Sequence, residues 1–341
     1  MNRNVLYRLL GKLESLEQLG KEASFIKHNV YGNTIFLRGI IEFSNVCRKN
    51  CFYCGIRKGN KIIKRYRMGM DEILKRVENI VANGIKTVVL QSGEDVFYTK
   101  ELLCKIIRNI KRNYNVAITL CIGERTEDEY KAFRDAGADR FLMKHETSNH
   151  RVYEMFHPGE TLTNRLKLLE KLKKLGYQVG SGNIIGLPYT SMNDYINDIL
   201  LIKSLDLDMA GLGPFMPTKN TPLEHFPPPN IEVVLKIIGL ARIILEDVNI
   251  PATTALFSLG GIDAVSNALD MGANVLMPNF TGDEYRKDYN IYDNKKPLNL
   301  ETIKGIIEEK GLAIVESKGE RIKYGRNNEI RKKKSYLCWQ N

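Results

Sequence analysis

Eight short apolar runs, each followed by a longer amphipathic stretch, constrain this chain more than any other feature. The runs are 36–44, 87–92, 116–122, 140–146, 178–185, 209–215, 251–256 and 274–279; each is too short for a core helix and reads as a strand. Between them apolar residues recur at helical spacing, as in Ile73, Leu74, Val77, Ile80 and Val81, or in Leu166, Leu168, Leu169, Leu172 and Leu175. Gly84, Gly137, Gly176 and Gly272 follow such stretches where a left-handed C-cap falls. Eight βα units of roughly 25 to 45 residues predict an α/β fold, a complete (β/α)8 TIM-type barrel. It would span 36–312, between an N-terminal helical segment (1–35) and a short, charged C-terminal tail (313–341). A length of 341 residues with 43% hydrophobic content suffices for its core.

In such a barrel chemistry gathers at the C-terminal ends of the strands. Here those ends carry Gln91-Ser92-Gly93-Glu94, Cys121-Ile122-Gly123-Glu124, Lys144-His145-Glu146, the glycine-rich 181–188 segment, Thr253-Thr254 and Met277-Pro278-Asn279. After the first run come Cys47, Cys51 and Cys54 within eight residues. Thiolates are the protein ligands of iron–sulfur cubanes, and electron-transfer sites supply four of them. Three leave one iron open for chemistry. Structural zinc needs four ligands, commonly as two pairs, and Cys104, Cys121 and Cys338 form no second pair.

The first ten residues mix charge with apolar groups, unlike a signal peptide, and no apolar run approaches the length of a membrane span. A cytoplasmic, reducing location is expected, with the six cysteines serving metal or catalysis rather than disulfides. The formal charge of +11 is spread along helix faces, its densest run being Arg331–Lys334, and no nucleic-acid module accompanies it. Neither a nucleic acid nor a membrane is expected as partner. The basic stretch Arg57–Arg67 follows the cysteine loop directly and suits an anionic cofactor or an acidic electron donor.

The CxxxCxxC spacing, with an aromatic before the last Cys and Gly55 after it, resembles the signature of the radical S-adenosylmethionine (SAM) superfamily. That resemblance implies one [4Fe–4S] cluster on Cys47, Cys51 and Cys54, whose open iron chelates the methionine end of SAM. It implies reductive cleavage of SAM to a 5′-deoxyadenosyl radical, hard chemistry that belongs to the cofactors. Phe52 and Tyr53 would pass under the adenine, and Gln91, Ser92 and Glu94 would meet the methionine ammonium. Glu146 and Arg165 would serve the charged ends of the cofactor, although a plain salt bridge between them is the alternative. Ile185 and Leu187 belong to a GxIxG-like element that reads the adenine.

Longer runs are similar to a narrower group, the HydE type of [FeFe]-hydrogenase maturase within the biotin-synthase-like subfamily. They include 38–51, Lys64-Arg65-Tyr66-Arg67-Met68, 89–95, His145-Glu146-Thr147, Asn164-Arg165-Leu166, Gly211-Leu212-Gly213-Pro214-Phe215, 250–255 and 272–279. The resemblance implies assembly of the hydrogenase diiron cluster from a small anionic or organometallic, cysteine-derived substrate. It also implies transient contacts with the other maturases and an electron donor. Thr253, Thr254, Met277, Asn279, Tyr289 and Tyr292 match residues lining the family's anion-binding cavity. Two positions depart: Lys144 stands where Arg is expected and Cys121 where Ser is usual. No cysteine lies between Cys121 and Cys338, so no second cluster is expected. A paralogue of the methylornithine synthase type, acting on a small amino-acid-like substrate, is the alternative enzyme; a non-catalytic iron–sulfur protein would lack its fourth cysteine.

Overall fold

The computed structural model of the protein describes residues 15–323; the first part of the N-terminal segment, the Arg331–Lys334 run and Cys338 lie outside them. Helices start where the sequence supplies caps. The hydroxyls of Thr99, Thr126 and Thr161 accept from the amides of Leu102, Glu129 and Asn164, satisfying donors that have no partner within the helix. The four predicted glycine C-caps are all left-handed, with φ from 76° at Gly84 to 114° at Gly137.

The strands are β1 (Thr34–Leu37), β2 (Gly39–Ser44), β3 (Thr87–Ser92), β4 (Ala117–Cys121), β5 (Arg140–Leu142), β6 (Gln178–Ser181), β7 (Ile184–Ile185), β8 (Met209–Ala210), β9 (Gly213–Pro214), β10 (Val275–Leu276) and β11 (Ala313–Ile314). They pair in parallel in the order β2-β3-β4-β5-β6-β8, with β7-β9 beyond the break in β6 and β8, and with β1 between β10 and β11. Single-residue bridges join Met209 to Asn249, Pro251 to Val275 and Ile40 to Asn279. The protein is therefore an α/β fold built on a parallel sheet. Several predicted strands are shorter than their apolar runs, because these strand ends turn to build loops before the apolar character stops. The 251–256 run is a correction: Thr254 opens the helix Thr254–Asp270 and Thr253 caps it, its hydroxyl taking the Leu256 amide. Pro251, lacking an N–H, cannot continue the ladder beyond the Met209–Asn249 bridge.

Register separates the two faces. Ile41, Leu90, Leu120, Phe141 and Val179 are successive partners across five strands, all buried in the apolar core under the helices. One residue further on, Glu42, Gln91 and Cys121 are partners and face the opposite side, as strand alternation requires. The N-terminal helix, α1 (Leu16–Tyr31), packs on α8 (Ile231–Leu245), with α2–α7 the helices between residues 70 and 204 in chain order. A side chain at Gly239 would strike Leu19, so the close approach of the two helices needs glycine there.

Residues 313–323 run across the N-terminal ends of the strands. The Lys318 carbonyl accepts from Thr87 Oγ1 (2.9 Å) and Arg140 Nη2 (2.6 Å), and the Gly319 carbonyl from Arg38 Nη2 (3.1 Å). Arg321 pairs with Asp206 and Asp247 at 2.6 and 2.7 Å. No helix among the described residues is long and apolar enough to cross a membrane.

Lys27 of α1 is buried beside the buried Arg242, its ammonium donating to the Leu269 carbonyl at 3.3 Å. Burial first, and then Arg242, push its pKa down to about 8. The unfolded lysine titrates near 10.4, so between about pH 8 and 10.4 the unfolded chain binds more protons and stability rises with pH. Below pH 8 the folded state carries the whole penalty. Lys27→Met is expected to stabilise the protein by about 1–3 kcal/mol at pH 7 and to flatten that alkaline rise, as measured by urea unfolding across the pH range.

Candidate active site

The cysteine loop leaves β2 through Asn45, whose side-chain amide donates to the carbonyls of Lys64 and Asp288, both at 2.7 Å. Arg65 knits the following segment to it, donating to the carbonyls of Asn45, Ile56, Arg57 and Asn60 at 2.6 to 3.0 Å. Cys47 Sγ accepts the Glu94 amide at 3.3 Å, and a Cβ on Gly93 would come within 2.3 Å of the Val46 carbonyl oxygen. The end of β3 can therefore lie against the cysteine loop only as bare backbone. Burial, with Cys47 adding, pushes the Cys54 thiol up to about 12, and burial with Cys54 raises Cys51 well above the ordinary range. Holding three such buried groups as thiolates would require cationic compensation, which an iron–sulfur cluster bound there would supply. No three His, Cys, Asp or Glu side chains among the described residues converge on a single-ion site. Zinc ligands must converge, whereas thiolates on separate corners of a cubane need not.

An ionic network fixes the loop to the ends of β3 and β4 and to the start of the helix Leu162–Lys174. Arg48 pairs with Glu94 at 2.5 Å, Lys49 with Glu124 at 2.9 Å and Glu160 at 2.5 Å, and Arg165 with Glu124 at 2.9 Å and Glu160 at 3.4 Å. Glu94 also takes the Glu124 amide at 2.8 Å. Arg48 is half exposed, but Glu94, Lys49, Glu124, Glu160 and Arg165 are largely buried and hold geometry because each has more than one partner. The salt bridge weighed between Glu146 and Arg165 is not made. Glu146 adopts φ 64°, bridges to Asn183 through its main chain, and its carboxylate sits 3.1 Å from Lys144 Nζ. A left-handed backbone in a non-glycine residue at a strand end is strain of the kind found at functional sites. Glu94, expected at the methionine ammonium, has its carboxylate engaged by Arg48 and the Glu124 amide. Ser92 donates to the neighbouring Gly93 carbonyl at 2.6 Å.

Phe52 and Tyr53 pack with Val152, Phe156, Ile184, Leu187, Phe215 and Leu223 in a separate apolar cluster. The Tyr153 carbonyl can only accept, so His157 Nδ1 carries the proton toward it (2.7 Å), leaving Nε2 to accept from the Tyr53 hydroxyl at 2.8 Å. Burial depresses the His157 pKa and keeps the ring neutral. The side chain of Ile185 packs in the main core instead, and its carbonyl takes the Phe215 amide at 2.7 Å; Ile184 is the neighbour that joins Phe52. At Gly182 an added Cβ would lie 2.0 Å from the Gly211 carbonyl oxygen, so the two glycine-bearing loops touch through backbone alone.

On the sheet face that carries Glu42, Gln91 and Cys121, Gln91 donates to the Tyr289 hydroxyl at 3.3 Å, and Asn279 donates to Glu42 at 3.1 Å. Lys295 pairs with Glu42 and lies 4.5 Å from the Tyr289 ring centroid. Met277, two residues from Asn279 and on the same face, packs against Tyr31, Phe36 and Val275. Thr253 Oγ1 stands over Gly213, the Thr254 carbonyl accepts from Ser258, and Tyr292 is buried. Cys121 is pushed up to about 12 by burial and then by Glu146, with Lys144 opposing, which places these three together. Sequence reading placed Glu124 at a strand end without giving it a role, and missed Glu42, Glu160, His157 and Lys295. Glu42 was detectable as the lone acid in the apolar strand 39–44; Lys295 lies in a loop with no local pattern.

Residues 41–202 match the model of the Radical SAM superfamily. With a parallel α/β fold and a three-thiol loop at its strand ends, the chain is a radical SAM enzyme. Over 281 residues it is 44% identical to "[FeFe] hydrogenase maturase subunit HydE" of Thermotoga maritima, covering 82% of this chain and 80% of that one. It belongs to the HydE family. A 3-methylornithine synthase of Methanosarcina acetivorans is 28% identical, over 88% of this chain and 86% of that one. The crystal structure of methylornithine synthase (PylB) superposes with a TM-score of 0.80 at 26% identity, covering 90% and 92% of the two chains. That of HydG, a maturase of the [FeFe]-hydrogenase, gives 0.78 at 20% identity over 89% and 69%, a likeness of fold.

Proposed function

We propose that the protein holds one [4Fe–4S] cluster on Cys47, Cys51 and Cys54 with SAM beside it, and acts in assembly of the [FeFe]-hydrogenase diiron site. The observation that carries this reading is the 44% identity to the Thermotoga maritima maturase across most of both chains. When bound, cluster and SAM supply a 5′-deoxyadenosyl radical. The chain positions and shields. Glu94 and Glu124 hold Arg48 and Lys49 so that the cysteine loop keeps its shape, and the Glu94 amide stabilises negative charge on Cys47 sulfur. The apolar cluster of Phe52, Tyr53 and Leu187 offers a flat surface for an adenine, and Glu146, free of Arg165, offers a carboxylate at the cavity mouth.

The strands and single-residue bridges read as a complete (β/α)8 barrel over 36–312 that encloses the row Glu42–Gln91–Cys121. Tyr289, Asn279 and Thr253 add hydroxyl and amide groups suited to a small anionic, cysteine-derived substrate. Cytoplasmic location and transient contacts with the other maturases and an electron donor belong to the same reading. The second reading, a methylornithine-type rearrangement, is favoured by the 0.80 superposition.

Anaerobic incubation of the reconstituted protein with dithionite and SAM is expected to yield 5′-deoxyadenosine. A cysteine-bound iron carbonyl-cyanide species should accelerate its formation by about tenfold or more. Release of 3-methylornithine from an amino-acid mixture, without response to the iron species, would select the second reading.

A further inference from the structure

We propose that the loop 56–67 is the docking surface for a small acidic protein that delivers single low-potential electrons to the cysteine site; this rests on the reading of reductive SAM cleavage. Between Gly55 and Gly69 the chain carries Arg57, Lys58, Lys61, Lys64, Arg65 and Arg67, and no acid. Two of these cations have inward tasks. Arg65 is consumed by four carbonyls, and Arg57 lies 5.5 Å from the Phe52 ring centroid. Arg67 is tied to Asp95 at 2.7 Å. Lys58, Lys61 and Lys64 point to solvent. The first two make no ion pair among the described residues, and the carboxylate beside Lys64, that of Asp288, is 3.9 Å away. Among them Ile62 is 71% exposed.

The loop is fastened to the cysteine loop itself. The Lys58 amide donates to the Lys49 carbonyl at 2.8 Å, and the Gly59 amide to Asn50 Oδ1 at 3.0 Å. A carrier seated here sits over the segment that bears Cys47, Cys51 and Cys54. Uncompensated lysines around one apolar side chain match a small, transient, electrostatically steered interface. In the transfer the carrier is oxidised by one electron. That electron breaks the S–C5′ bond of SAM, turning the sulfonium into the thioether of methionine and leaving one unpaired electron on C5′.

The test pairs Lys58→Glu/Lys61→Glu with a control of equal type, Lys105→Glu, exposed on the helix Lys100–Asn113, using flavodoxin as the acidic carrier. Binding of oxidised flavodoxin is measured by calorimetry at low and high salt. Formation of 5′-deoxyadenosine is measured with flavodoxin hydroquinone and, separately, with dithionite. The double variant is expected to lower the flavodoxin-driven rate and affinity about tenfold or more at low salt, with a weakened salt dependence. Its dithionite-driven rate should stay within about threefold, and the control should behave as the unsubstituted protein in every arm. Unchanged flavodoxin affinity, or parallel losses with both reductants, would overturn the proposal. If the unsubstituted protein formed no 5′-deoxyadenosine with dithionite, reductive cleavage would be refuted, and the binding arm would still decide the docking surface.

Discussion

Cys51→Ala is expected to bring 5′-deoxyadenosine formation down to background, a loss of at least about a thousandfold, or more than about 4 kcal/mol in the barrier. Reconstituted iron should fall from about four per chain, the content of one cubane, to a small residue. The two remaining thiols cannot replace the third, because each corner of the cluster needs its own donor and Cys121 and Cys104 stand on β4 and on the helix Lys100–Asn113. Stability should hardly change. This holds for the iron-free protein: Cys51 lies in a loop outside the hydrophobic clusters, so truncating its half-buried side chain removes no core packing and should cost no more than about 1 kcal/mol. Iron analysis, deoxyadenosine chromatography and thermal melting check the three parts. Four irons and full activity in the variant would remove Cys51 from the ligand set, and a count near eight in the unsubstituted protein would reveal a second cluster.

Lys295→Met should have the largest effect on stability, a loss of about 3–5 kcal/mol. The side chains of Lys295 and Glu42 are 4% and 3% exposed. Removing the ammonium leaves Glu42 with the Asn279 amide and the Thr281 hydroxyl as its side-chain partners (3.1 and 3.4 Å), too little for a buried carboxylate. The paired change Glu42→Gln/Lys295→Met leaves no unpaired charge and is expected to recover most of the loss, the usual behaviour of a buried pair replaced as a unit. Urea unfolding of the two single variants and the double variant closes the cycle. A cost below about 1 kcal/mol for Lys295→Met would mean that water reaches the Glu42 carboxylate. The substitution also frees the segment that carries Tyr289, so substrate-dependent turnover should suffer more than the basal cleavage of SAM.

Much of the fold was legible because strand and helix periods are local. The glycine C-caps stand where the sequence reading put them. The seventh run misled, since Pro251-Ala252-Thr253-Thr254-Ala255 is apolar enough for a strand while Thr253 is also an N-cap; the cap prevailed because it satisfies helix amides that a strand would not expose. At the site, the cysteine loop was readable from spacing alone. The partners of Arg165 were not, because Glu124 comes from the end of another strand, Glu160 from the turn before the helix Leu162–Lys174, and Glu146, whose pairing with Arg165 was the alternative reading, pairs with Lys144 instead.

By itself the sequence determined the reaction class: three thiols at CxxxCxxC spacing leave a cubane one donor short, and no tertiary contact alters that count. The βα alternation likewise determined a parallel α/β fold, since hydrophobic period is a property of neighbours along the chain. Only the tertiary structure decided what surrounds the chemistry. Parallel register placed Glu42, Gln91 and Cys121 side by side, and a loop some 250 residues from Glu42 brought Lys295 to it. Such pairings depend on distances through space between residues far apart in the chain, and burial then makes them strong enough to shape the site.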